Sequence, residues 1–207
     1  MTARHPALPA SATAGRRTAV SLGLLLLPVA WTLSRYDMAG HMAAHMIAVA
    51  IAAPLIVLGV QGSRLDPAQR WPRLATPLTA AMIEAVIVWG WHVPALRSLA
   101  AHHPGALAVE QASFLAAGLL LWSAVLAPRH RAAGVGALLV TSMHMTLLGA
   151  LIGLAPRVLY SHHGPDALAD QQIAGVIMLL VGGIAYLVGG LAMLGRLLQM
   201  RPEAPAT

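Results

Sequence analysis

From Met38 to Ser63 the chain carries no Asp, Glu, Lys or Arg, and most of the residues between are apolar. A run of this kind has one good solution in a bilayer: a helix of about 20 residues that satisfies its own backbone hydrogen bonds. Comparable stretches lie near 17–34, 75–96, 105–127, 132–155 and 171–195, giving about six transmembrane helices with 38–60. No segment alternates like a barrel strand. The expected fold class is therefore all-α, a polytopic membrane helical bundle. Charged residues at 10% and a mean hydropathy of +0.72 exclude an ordinary soluble domain.

The excess of basic residues has a topological explanation. All thirteen are Arg. Arg4, Arg16, Arg17, Arg64, Arg70, Arg73, Arg129, Arg131, Arg196 and Arg201 fall in the tails and in the loops after the second and fourth spans. Only Arg35, Arg97 and Arg157 fall in the other loops. The positive-inside rule then places both termini in the cytoplasm, and no nucleic-acid partner is needed. Residues 1–15 are expected to be a disordered cytoplasmic tail, 16–200 a single transmembrane domain, and 201–207 a second cytoplasmic tail. Arg16-Arg17 superficially resembles an export signal, but no small-x-small cleavage pattern follows Pro28-Val29-Ala30-Trp31, so an uncleaved first helix is expected. The chain has no cysteine, so any soft metal must be held by Met and His.

Residues 38–46 read Met-Ala-Gly-His-Met-Ala-Ala-His-Met. At about 100° per residue Met38, His41, Met42 and His45 share one helical stripe, and thioether with imidazole suits copper, above all Cu(I). The structural alternative is that Met fills gaps and His bonds neighbouring helices. With the topology fixed, His92, Glu110, Asp170 and Gln171 also fall in the outer half, while Glu84 and His144 lie nearer the midplane. Ionisable groups at such depth usually face a bundle interior or cavity. Each has a plainer role open to it. Asp170 can cap a helix, Glu84 and Glu110 can hydrogen-bond to neighbours, His144 can bond Thr141 or Ser142, and Trp89 and Trp91 can belong to an interfacial belt. His102, His103, His162 and His163 are expected in outward loops. Gly149 with Gly153, and Gly175, Gly182 and Gly189 with Met178 on the same stripe, mark close helix packing.

The chain resembles the multispanning CtaG-like cytochrome c oxidase assembly factors of bacterial membranes. The resemblance rests on HMAAHM at 41–46 with the following APLIVLG, WHVP at 91–94, VEQASFLAAGLLLW at 109–122, HMTLLGAL at 144–151, the RVLY tract ending at Tyr160, and DQQIAGVIM at 170–178. It departs from the family pattern at Gln111, where a His commonly follows the Glu, and in having six spans where larger members have seven. The resemblance implies a non-enzymatic, multi-pass inner-membrane protein that helps copper reach the CuB centre. Its partners would be an oxidase subunit or other assembly factors, membrane lipid, and another copy of the chain in a homo-oligomer. His41 and His45 are then the main copper ligands, with Met38, Met42, His92 and His144 auxiliary. Glu84, Glu110, Asp170, Gln171 and Met178 would orient ligands or line the cavity. The alternatives are a haem b-binding membrane electron carrier with paired axial His, a copper permease, and a purely structural oxidase partner.

Overall fold

The computed structural model describes residues 10–160 and 166–199. Among them there is no strand. Helix α1 spans Ala10–Leu33, α2 Met38–Val60, α3 Pro67–Arg70, α4 Pro77–Trp91, α5 Pro94–His102, α6 Pro104–Leu126, α7 Arg131–Gly153 and α8 Ala167–Gln199. Four of these, α2, α6, α7 and α8, are long and apolar enough to cross a membrane, and α4 with α5 makes a fifth if the bent pair is one span. The sequence reading expects six. Helix α1 has the length, at 24 residues, but its first turns carry Thr13, Arg16, Arg17 and Thr18. It also begins at Ala10, inside the stretch expected to be a tail; residues 1–9 and 200–207 lie outside the described residues.

Helices α2, α4, α6, α7 and α8 form the bundle, and α1 docks along α2 at its edge. The surface is inverted relative to a soluble protein. Val86, Leu139, Leu147, Leu151 and Leu187 face outward, whereas His41, His45, Glu84, Glu110, Thr141 and Gln171 are buried. That distribution suits lipid outside and polar chemistry within.

Local sequence explains the irregularities. Pro54 lacks an N–H and its ring would strike the carbonyl four residues back; the turn before it, Ile47–Ala52, widens into a π-helix. The Trp122 indole N–H donates to the Val49 carbonyl inside that widened turn, at 2.9 Å. A second π segment, Met178–Gly182, interrupts α8. Pro94 pushes Val93 into an extended conformation (φ −63°, ψ 129°), so α4 stops and α5 departs at 72°. The segment from Arg97, expected as a loop, is therefore helical as far as His102.

The glycine stripes pack as expected. A Cβ on Gly175 would sit 2.4 Å from Gly153 N and 2.6 Å from Gly149 O. Gly182 abuts Met46 and Met145, and Gly189 abuts the Trp122 ring. At the other end of α2, Gly62 (φ +76°) makes a turn that a side chain would strain, and its N–H donates to Asp66.

Candidate functional site

Three imidazoles converge on the Phe114 ring. His41 and His45 come from successive turns of α2, His92 from the α4–α5 break, and Phe114 from α6, one turn after Glu110. Ring centroids are 5.7 Å apart for His41 and His92, 5.5 Å for His45 and His92, and 4.1 Å for His45 and Phe114. The break is what turns His92 inward, where its Nδ1 donates to the Val88 carbonyl at 2.7 Å. That bond fixes the tautomer, leaving Nε2 with a lone pair. Among the described residues, buried Nε2 has no hydrogen-bond partner, and neither nitrogen of fully buried His45 has one. One His45 nitrogen must carry a proton, and a buried unmatched donor costs about 1–3 kcal/mol. Three nitrogens in one small volume thus want a partner.

Arg97, counted from sequence among the outward-loop arginines, is buried beside this cluster. Its Nη1 donates to both carboxylate oxygens of Glu110 at 2.6 Å and stands 2.8 Å from His41 Nδ1. A guanidinium can only donate, so His41 accepts. His41 Nδ1 is 3.7 Å from Glu110 Oε2. The turn of α6 that holds Glu110 is tied to α4: Trp91 Nε1 donates to Ser113 Oγ, which donates to the Glu110 carbonyl, both at 2.8 Å. Trp91 therefore belongs to the support of the site. Gln111 instead lines a cleft of about 570 Å³ between α1 and α6, with Trp31 and Ala48. The departure from the family pattern at that position leaves the cluster around Phe114 intact.

Glu84 and His144 form a second polar group deeper in the bundle. Tyr186 of α8 donates to Glu84 Oε1 at 2.9 Å, and His144 Nε2 is 4.0 Å from Glu84 Oε2. Among the described residues, Thr141 Oγ1, Glu84 Oε2 and both His144 nitrogens lack hydrogen-bond partners. Tyr186 stacks on Trp122, with centroids 5.8 Å apart. His144 thus stands with Glu84.

The helix ends nearest the His cluster are stitched together by the segment that opens α8. Asp170 accepts from the N–H groups of Met38 (2.8 Å) and Ala39 (3.0 Å), while Asp37 accepts from Gly40 (2.6 Å). Asp170 is therefore a cap, but for α2 and not for its own helix, and it holds the helix that bears His41 and His45. Gln171 accepts from Leu159 N–H at 2.6 Å and donates to the carbonyls of Ile152 and Arg157. The neighbouring Tyr160 hydroxyl donates to the His92 carbonyl at 3.0 Å. Burial pushes its phenol up to about 12, so it remains a donor at neutral pH.

Met38 and Met42 are buried on α2, and Met46 and Met145 pack against Gly182 in the second π segment, where Met178 is also buried. No group of three or more His, Asp or Glu side chains is already arranged to hold a metal ion among the described residues. His102 ends α5 with Nδ1 donating to Ser98 O, and His162 and His163 lie outside the described residues.

Sequence reasoning missed Arg97, Phe114, Tyr186 and the positioning role of Tyr160. The only available signal was for Arg97, which sits amid apolar residues in Pro-Ala-Leu-Arg-Ser-Leu-Ala-Ala. Comparison with curated proteins and with solved structures gave no match. The family model described as cytochrome c oxidase caa3 assembly factor matches residues 2–200, nearly the whole chain. The chain belongs to the cytochrome c oxidase caa3 assembly factor family, Caa3_CtaG.

Proposed function

We propose that this protein assists assembly of a caa3-type oxidase by holding copper, as cargo, at His41, His45 and His92 on the outer side of the membrane and passing it toward the CuB centre. The observation that carries the reading is the buried set of unmatched nitrogens on His45 and His92. Two imidazoles bound through nitrogen at about 2.0–2.1 Å from one ion have centroids roughly 5–6 Å apart, and His92 stands at that spacing from both His41 and His45. Met38 and Met42, on the same stripe of α2, add soft thioethers that bind Cu(I) and let it go to a harder, all-imidazole acceptor. His144, beside Glu84, is an auxiliary ligand one step deeper, and Met178 lines that depth. Asp170, Gln171 and Glu110 keep the ligand-bearing backbone in place.

The same reading takes α1 and the bent α4–α5 pair as spans, giving six with both termini cytoplasmic in a bacterial inner membrane. The burial of Arg97 strengthens it, because only Arg35 and Arg157 are left on the outward side. A haem b carrier is disfavoured by Phe114, whose ring packs edge-on against the His45 imidazole with centroids 4.1 Å apart.

The test is metal content and visible spectrum of protein purified in detergent under reducing, copper-replete conditions. About one copper per chain in wild type, lost in the His41→Ala, His45→Ala double variant, supports the proposal. A Soret band moves the assignment to haem, and absence of metal leaves a scaffolding role.

A further inference from the structure

The buried Arg97 is the least expected group in the bundle. It reaches the interior because the Pro94 break turns α5 across the outer mouth, and it lies against both Glu110 and His41. Glu110 alone accounts for a counter-cation. It does not account for a cation placed within hydrogen-bond distance of a proposed copper ligand, since two positive charges in one buried volume repel.

We infer that Arg97 is the residue that sets copper affinity: it occupies the His41 lone pair in the metal-free protein, yields it on loading, and takes it back on release. This rests on the copper reading above. The geometry specifies the exchange. Arg97 Nη1 holds His41 Nδ1 at 2.8 Å and Glu110 at 2.6 Å. Loading breaks one N–H···N hydrogen bond and forms one Cu–N bond. The guanidinium stays protonated and stays on Glu110, so no proton leaves the protein and no redox change is required. Release is the reverse, with the Arg97 N–H refilling the lone pair as the metal goes. Glu110 is the tether that keeps Arg97 within reach throughout and dilutes its charge. A site of three imidazoles and two thioethers without such a competitor would hold Cu(I) tightly, which is unhelpful in a donor. A tethered, charged competitor lowers affinity without removing a ligand.

The exchange predicts opposite effects for two variants. Arg97→Met with Glu110→Gln removes the competitor and its counter-charge together, leaving no unpaired buried ion. Cu(I) binding, measured by competition with a chromogenic chelator in detergent, should tighten about tenfold or more, since hydrogen bonds to charged groups are worth at least that in equilibrium terms. Glu110→Gln alone leaves Arg97 untethered by a carboxylate, more able to donate to His41 and less neutralised, and should weaken binding severalfold. A merely structural pair would weaken binding in both variants. In the metal-free protein, the His41 ¹⁵Nδ1 resonance should move in the double variant, reporting the lost contact without copper. Wild type that binds Cu(I) while the double variant binds no tighter overturns the inference and leaves the copper reading standing. Wild type that binds no Cu(I) overturns both, whatever the resonance does.

Discussion

Gly175→Ala should be among the most damaging small substitutions in the bundle, and its neighbours show why. The added Cβ would lie 2.4 Å from Gly153 N, 2.5 Å from Gly153 Cα and 2.6 Å from Gly149 O. All three are backbone atoms, so no rotamer change relieves them, and α7 and α8 must separate by about 1 Å to restore ordinary contact of roughly 3.5–4 Å. Overpacking of this kind costs about 1–3 kcal/mol, and the value here belongs at the upper end because backbone must move. At Gly153 the nearest atom to an added Cβ is 3.5 Å away, and at Gly183 nothing lies within 4 Å. Gly153→Ala should therefore be nearly neutral, and Gly183→Ala should stabilise by about 0.5–1 kcal/mol through helix propensity. Gly149, with contacts at 3.0 and 3.2 Å, falls between. Unfolding of purified protein by denaturant titration in mixed micelles reads the series. Equal effects at Gly153 and Gly175 would refute the packing geometry, because the small-xxx-small pattern treats both as interface positions.

Tyr186→Phe deletes the donor to Glu84 and should cost about 1.5–3 kcal/mol; the same micelle titration checks it, and combining it with Glu84→Leu should recover most of the loss. Asp170→Ala removes the carboxylate that accepts from Met38 and Ala39, with an expected loss of about 0.5–2 kcal/mol. Backbone amide exchange at residues 38–42 should rise in that variant, and unchanged exchange would show that the cap does not hold α2. The Tyr160 phenol is raised in the folded protein to about 12 from an ordinary value of 10.0. Its contribution is therefore fully present below pH 10 and lost as pH rises toward 12. Thermal melts between pH 9 and 12 should fall more steeply for wild type than for Tyr160→Phe, and parallel curves would contradict the burial of that hydroxyl.

The His and Met stripe of α2 was legible because His41 and His45 keep a helical period within an uncharged run, and both are buried. Glu84, Glu110, His144 and Gln171 were visible for the same reason, as polar groups where lipid forbids them. Their partners were not visible. Tyr186 and Phe114 are aromatic residues within apolar helices, and nothing in their own neighbourhoods distinguishes an interior face from an exterior one. Arg97 was misplaced because a basic residue soon after a proline at a span end has the composition of a loop; only the 72° bend returns it to the interior. Capping was one of two roles open to Asp170 from sequence, and the helix it caps lies 132 residues away in the chain, a pairing that local rules cannot supply. The count of spans was least secure at α1, where Arg16 and Arg17 sit within the helix itself.

The widened turn at Ile47–Ala52 fixes an angular phase between the two ends of α2. A π turn accommodates a residue more than an α turn, and each residue advances a helix by about 100°. Deleting any one residue from that turn would close it toward a regular α turn and set the Pro54 ring against the carbonyl four residues back. It would also rotate Met38, His41, Met42 and His45 by about that angle against Ala53–Val60, which α1 and α6 hold in place. The placing of the imidazoles at the N-terminal end of α2 thus depends on a defect further along it, and the most regular form of this helix is one whose imidazoles face the wrong neighbours.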